Sequence, residues 1–299
     1  LSYPRPDAQL VTGVKRDINL LAQLEDISDS SITVLDISLD RNREDLERLL
    51  ALGNMIFYAD HHFSGDIPES GQLEVHIDPA PQTCTSLIID RLLDGKYRGW
   101  AVAGAFGDNL DESALKAARS MNLKDNEVQQ LKEIGILLNY NGYGATLEDL
   151  FFPPDALFQQ VRSFEDPFAF HASSKTLQTL RKGYQDDMTR AAGYQPIQKD
   201  SAGRAFLLPG ESWSRRVAGV YSNTLARQQP DLAHALLMPN TDGSLRISVR
   251  APLNNRIGAD ILCRQFPTGG GRTAAAGINE LPENLKEEFL SAFSRRFAK

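Results

Sequence analysis

Two short apolar runs constrain this chain more than any other feature. Ile32-Thr33-Val34-Leu35-Asp36-Ile37 and Met55-Ile56-Phe57-Tyr58-Ala59 are nearly continuous in apolar character, with Asp36 near the end of the first and Asp60 directly after the second. Between them, Asn42 to Leu52 spaces Leu46, Leu49 and Leu50 along one helical face. A strand buried on both faces shows no alternation, and strands linked through helices pair in parallel. The pattern therefore predicts a parallel sheet covered on both sides. Such sheets carry their functional groups at the carboxyl ends of strands, where Asp36 and Asp60 fall. Gln9 to Thr12 and Leu73 to Ile77 are further strand candidates.

Downstream, Glu127 to Asn139 and Ser173 to Ala192 read as helices, the second preceded by Pro167 and closed by Gly193 and Pro196. Beyond it come a strand from Arg204 to Leu208 and a helix from Arg215 to Gln228. The strands Ala233 to Met238 and Leu245 to Arg250 then flank Asn240-Thr241-Asp242-Gly243, a hairpin turn. A helix from Gly258 to Phe266 leads into Thr268-Gly269-Gly270-Gly271-Arg272, and another helix closes the chain. The expected fold class is α/β: a mainly parallel-sheet domain over residues 1–172, a linker helix over 173–195, and a smaller α+β domain over 196–299.

Charge divides along the same line. Residues 1–150 hold 13 basic and 25 acidic side chains, and residues 151–299 hold 19 and 14, for a total of −7. That balance argues against a coat for long duplex nucleic acid. An acidic half suits cations and a basic half suits phosphates, although two solvated surfaces of opposite sign explain the charges equally well. No stretch reaches the ~20 apolar residues of a membrane span, and no secretory signal is visible. Cys84 and Cys263 are far apart and fit a reducing cytoplasm better than a disulfide or zinc site. Each reads first as a small buried apolar residue.

Asp60-His61-His62 at a strand end offers a carboxylate and two imidazoles within one turn. Asp108 closes the small-residue run Ala103-Gly104-Ala105-Phe106-Gly107. Hard cations such as Mn²⁺ and Mg²⁺ favour carboxylates, with imidazole added for manganese. Taken singly, these residues have ordinary readings as a solvated loop, a helix cap and a turn. The triple glycine lets backbone N–H groups approach a phosphate. Around it, Arg246, Arg250, Arg256, Arg264 and Arg272 face one acid, Asp260. A tight surface loop is the plain alternative, and no G-x-G-x-x-G spacing follows a strand. His76, His171 and His234 read as lone histidines at a strand edge, in a loop and before a strand.

Together, Asp36, Asp60-His61-His62 and Asp108 resemble the DHH phosphoesterase family, in which an aspartate after a strand precedes Asp-His-His and then an aspartate in a small-residue segment. The run from Ile77 to Ser86 resembles the family's Ser/Thr-rich loop opening a helix. The strand ending in Arg250, then Gly269-Gly270-Gly271-Arg272 and Ala274-Ala275-Ala276-Gly277, resemble the DHH-associated domain. The resemblance covers nearly the whole chain. It points to the branch of oligoribonucleases, nucleotide phosphatases and exopolyphosphatase-related proteins. It implies a hydrolase with Mn²⁺ or Mg²⁺, two ions in a complete site. Asp36, His61 and Asp108 are then metal ligands, Asp60 orients a histidine, and His62 meets the reacting phosphate or water. Arg250, Gly269, Gly270, Gly271 and Arg272 bind substrate.

Two departures stand out. Arg272 replaces the family's histidine, which bears on substrate choice. The family's first motif, Asp-x-Asp, is not seen; Asp7 stands alone, and the natural chain is expected to carry the pair upstream of Leu1. The expected substrate is a short oligonucleotide or nucleotide. A homodimer is left open. The alternatives are a pyrophosphatase or exopolyphosphatase, or a non-catalytic nucleotide-binding protein on the same fold.

Overall fold

A computed structural model describes residues 8–298; Asp7 lies outside them. The described chain forms two compact units. Unit 1 holds the residues up to Gly142 together with Phe151–Arg181, and unit 2 holds Tyr143–Leu150 together with the residues from Lys182 on.

Unit 1 opens with β1 (Ser31–Leu35), α1 (Arg43–Ala51), β2 (Met55–Asp60) and β3 (Leu73–Ile77), and the strands form a parallel sheet in that order. Val34 pairs with Tyr58, and Tyr58 with Val75. Val34, Ile56 and Tyr58 are buried with Leu46, Leu49 and Leu50 of α1, each such side chain contributing about 1.5–3 kcal/mol. The strands begin in step because the wholly buried Asn54 accepts from the Ser30 N–H and donates to the carbonyls of Ile27 and Leu49. Its amide is thus satisfied, as burial requires.

Helices follow: α2 (Thr85–Leu92), α3 (Arg98–Gly107), α4 (Asp111–Ala118), α5 (Asp125–Asn141), α6 (Pro154–Val161), α7 (Pro167–Ser173) and α8 (Lys175–Ala192), the last beginning in unit 1 and ending in unit 2. The small-residue run before Asp108 is the end of α3, packed closely on α5. A Cβ on Gly135 would stand 2.0 Å from the Ala103 carbonyl oxygen, so only glycine permits the approach. Gln9 to Thr12 is not a strand. No strand pairs with this segment, and shortly after it the Lys15 N–H bonds the Gly142 carbonyl instead.

Unit 2 contains β4 (Gln198–Lys199), β5 (Gly203–Leu207), α9 (Ser212–Gln228), β6 (Ala233–Pro239), β7 (Leu245–Arg250), α10 (Ala259–Cys263), β8 (Gly269–Gly271), β9 (Ala275–Leu281) and α11 (Lys286–Phe297). The sheet order is β4-β5-β6-β7-β9-β8, parallel only between β5 and β6. Ala205, Ala235, Ile247 and Val249 bury one face with Leu262 and Phe289. The Gly-rich segment expected as a loop is the edge strand β8, paired with β9. Tyr143–Leu150 joins this unit through Asp149, whose carboxylate accepts from Arg215 Nε at 2.7 Å and Ser212 Oγ at 2.7 Å. Burial works to raise the Asp149 pKa, but these donors hold it well below the usual carboxylate range.

Candidate functional site

Leu35 pairs with Ala59, so Asp36, just past β1, and Asp60, the last residue of β2, come side by side at the carboxyl ends of the strands. Asp36 adopts a left-handed conformation, φ 63°, while its N–H bonds the Ala59 carbonyl at 3.1 Å. For a non-glycine residue that conformation costs about 1–2 kcal/mol and persists where the surroundings enforce it. Thr85, the first residue of α2, donates its hydroxyl to Asp36 Oδ1 at 2.7 Å. Asp108 caps the carboxyl end of α3, with Asn109 at φ 60° turning the chain away.

His61 brings these carboxylates together. Its Nε2 lies 3.5 Å from Asp36 Oδ1 and 3.5 Å from Asp108 Oδ2. Its Nδ1 is 2.9 Å from the Thr83 carbonyl, which only accepts, so a proton belongs on Nδ1 and, in the neutral ring a metal ligand requires, the Nε2 lone pair faces the two carboxylates. Three electron-pair donors then converge. The carboxyl end of α3 adds further negative potential behind Asp108. Without a cation such an arrangement repels itself. With metal–ligand bonds of roughly 2.1 Å, the 3.5 Å between His61 Nε2 and each carboxylate suits a divalent ion seated between His61 and its neighbours. The donor set therefore fits Mn²⁺ or Mg²⁺.

Asp60 is fully buried, and its Oδ1 holds His62 Nδ1 at 2.7 Å. That bond pushes the His62 pKa up against the opposing effect of burial. Its other oxygen, Oδ2, is buried with no hydrogen-bond partner among the described residues, an acceptor that a nearby cation would satisfy. One ligand atom each from Asp36, His61 and His62 lies within 4.8 Å of the others. A cavity of about 490 Å³ opens beside them, lined by Asp36, Thr85, Ser86, Trp100, Asp108 and Leu138 among others.

The structure thus gathers Asp36, Asp60, His61, His62 and Asp108 in unit 1. Arg250 and Arg272 are neighbours in unit 2: Arg272 pairs through its backbone with Ala275, which is opposite Arg250. Arg250 donates Nε to Asn223 Oδ1 at 2.9 Å and Nη1 to Ser248 Oγ at 3.0 Å. The three glycines differ. A Cβ would meet the Cys263 carbonyl oxygen at 1.8 Å on Gly269 and Ala276 Cα at 2.5 Å on Gly271, but only open space on Gly270. Packing thus demands two of them.

Sequence reasoning passed over Thr83 and Thr85, which orient His61 and Asp36. Their signal was the Ser/Thr-rich run, which Asp78 braces by accepting from Thr83 Oγ1 and Arg91. His76 bonds Glu74 on an outer strand, and His171 bonds Glu133, which also takes Arg181. Both histidines are accounted for structurally. Cys84 and Cys263 are free and buried. Among the described residues, no helix is long and apolar enough to cross a membrane.

No family model matches the chain, and no curated protein matches it. Solved structures do. An exonuclease RecJ bound to manganese superposes with a TM-score of 0.57 at 17% identity, over 93% of this chain and 78% of that one. A DHH domain described as belonging to a family of ribosomal proteins gives 0.57 at 14% identity, over 88% and 68%. RecJ from Thermus thermophilus with Mg²⁺ gives 0.54 at 16% identity, over 98% and 54%. The fold of this chain is that of DHH-domain proteins.

Proposed function

We propose that this chain, with its DHH fold, is a metal-dependent phosphoesterase acting on short oligonucleotides or nucleotides. The observation that carries the reading is the convergence of His61 Nε2 with the Asp36 and Asp108 carboxylates, each 3.5 Å away. Asp36, His61 and Asp108 would hold Mn²⁺ or Mg²⁺; a second ion would draw on further carboxylates. A divalent ion at such a site lowers the pKa of a bound water and offsets charge on a phosphoryl oxygen.

The chain's own residues do the rest. The Thr83 carbonyl keeps His61 in the tautomer with a free Nε2, and Thr85 holds Asp36. Asp60 pins His62 Nδ1, leaving its other ring nitrogen to offer a proton to the phosphate or leaving oxygen. Arg250 and Arg272 supply charge-assisted hydrogen bonds to the substrate phosphate, and Gly270 lets backbone approach it. RecJ is named an exonuclease and carries Mn²⁺ or Mg²⁺ in its solved forms, which supports the same chemistry here.

The test is a panel of a dinucleotide, a nucleotide bisphosphate and pyrophosphate with Mn²⁺, comparing the parent with Asp108→Ala. Nucleotide release by the parent, and its loss in a variant that stays folded by circular dichroism, is the expected result. Pyrophosphate as the sole substrate would move the chain to the pyrophosphatase alternative. Tight binding without turnover would make it a nucleotide-binding protein.

A further inference from the structure

Phe63 follows His62 directly, in the loop that joins β2 to β3. Its side chain is 74% exposed, more than any other large apolar side chain among the described residues. Single exposed apolar residues are ordinary on a protein surface. What sets Phe63 apart is where it stands and how firmly its backbone is held. His62 is half-exposed at the same strand end, pinned by Asp60, with its ring centre 4.5 Å from that of His61. The Phe63 carbonyl accepts a hydrogen bond from Ser38 Oγ at 3.3 Å, and Ser38 is two residues beyond Asp36. Phe63 is thus tied to both strand-end segments, the one that carries Asp36 and the one that carries His61.

The loop around it is braced. Arg43 of α1 donates Nη2 to the Ser64 carbonyl at 2.8 Å and Nη1 to the Asp66 carbonyl. Gly65 turns the chain with φ 61°, and a Cβ there would stand 2.7 Å from Arg43 Nη2 and 2.8 Å from Asp40 Oδ1. With Arg43 spent on carbonyls, and Asp40 and Asp66 beside the turn, this rim offers little to a phosphate. It offers a flat apolar ring instead. Every nucleobase has a π-face that stacks on such a ring. A nucleotide whose phosphate meets His62 holds its base one sugar away. The Cα atoms of His62 and Phe63 are about 3.8 Å apart, so the ring stands on that scale from the reacting phosphate. A base-free phosphate such as pyrophosphate has nothing to stack.

We infer that Phe63 is a stacking platform for a substrate nucleobase, and that it gives the site a preference for nucleotide esters over base-free phosphates. Stacking tolerates any base, so the contact selects the class of substrate and not its sequence. The inference rests on the phosphoesterase reading and names the residue of unit 1 that meets the base.

A fluorescence titration of the full chain with Mg²⁺ tests it. The probe is a 2-aminopurine dinucleotide joined through a phosphinate, whose P–C bonds a phosphoesterase does not cleave; stacking quenches its emission. The base-free phosphinate of the same sugars is the reference ligand, read by competition. The parent is expected to bind and quench the probe. Phe63→Ala should weaken the probe roughly 5–150-fold, the range of one lost base–aromatic stack, and change the reference less than about twofold. Phe63→Trp keeps a flat ring and should bind the probe within about threefold of the parent. Phe63→Leu keeps apolar area without a flat face and should fall with the alanine variant. The side chain is mostly in solvent, so all three variants should melt as the parent does. Unchanged probe affinity in Phe63→Ala, equal weakening of both ligands, a leucine variant as good as the parent, or a parent that leaves the probe unquenched would each overturn the inference. Mn²⁺-dependent turnover by the parent in the ester panel decides the phosphoesterase reading separately: turnover without stacking sinks the platform alone, and stacking without turnover leaves a nucleotide-binding protein.

Discussion

Thr85 shows how a single hydroxyl can shape the proposed metal site. Its bond to Asp36 Oδ1 holds a carboxylate whose side chain is otherwise 61% exposed and free to rotate. Thr85→Val keeps the shape and removes the donor. Outer contacts of this kind are worth about 10–100-fold in metal affinity, so a Mn²⁺ titration should show that loss with little change in thermal stability. Unchanged affinity would show that Asp36 needs no such support. The carboxylates and histidines themselves were legible in the sequence, because acidic residues at strand ends and paired imidazoles are visible as letters. The left-handed turn at Asp36 and the Thr83 carbonyl were not. Backbone conformation at a non-glycine residue, and a carbonyl that every residue possesses, leave no mark in composition or spacing.

Among the elements, β8 separates packing from binding. Gly269→Ala would drive a Cβ to 1.8 Å from the Cys263 carbonyl oxygen and should lower the urea midpoint by the equivalent of about 1–3 kcal/mol or more. Gly270→Ala meets open space. It should leave the midpoint alone and weaken binding of a phosphate ligand if backbone approach matters there. A Gly270→Ala chain that binds as the parent does would remove this strand from the substrate site. The glycine run was legible as a phosphate loop or a tight loop, but not as a strand, since glycine weakens strands and the pairing with β9 is what holds it extended. In the same sheet, β6 carries a pH signature. His234 is lowered to about 4 in the fold from 6.5 in the free side chain, so the unfolded chain takes up the proton first. Its contribution is complete above about pH 6.5 and is lost as pH falls toward 4, by up to roughly 3 kcal/mol. His234→Gln should therefore lose less stability than the parent between pH 7.5 and 4.5 in urea titrations. Parallel losses would mean that other groups govern acid unfolding.

At the scale of the whole molecule, the order of strands and helices could be read from the sequence because each apolar run has a definite period. The assignment of Tyr143–Leu150 to unit 2 could not. It rests on Asp149 meeting Arg215, a contact 66 residues apart, and long-range ion pairs have no local pattern. The charge division was legible and acquires a physical sense. The carboxylates proposed to hold the cation lie in unit 1, and the arginines proposed to bind phosphate lie in unit 2. That separation makes a prediction about Arg272, an exposed side chain whose backbone closes the β8–β9 turn. Arg272→Ala leaves every proposed metal ligand in place, so the Mn²⁺ isotherm should match the parent's. Removing one charge-assisted phosphate contact costs about 1.5–3 kcal/mol, or roughly 10–150-fold in binding, and should appear as a raised KM on a dinucleotide substrate. Arg272→His, which restores a smaller cation at lower pH and a hydrogen-bond donor at neutral pH, should recover turnover with a changed preference among esters. Kinetics of Arg272→Ala equal to the parent's would make this arginine a surface residue. A fall in Mn²⁺ affinity would show that the two charge systems are energetically coupled rather than separable by unit.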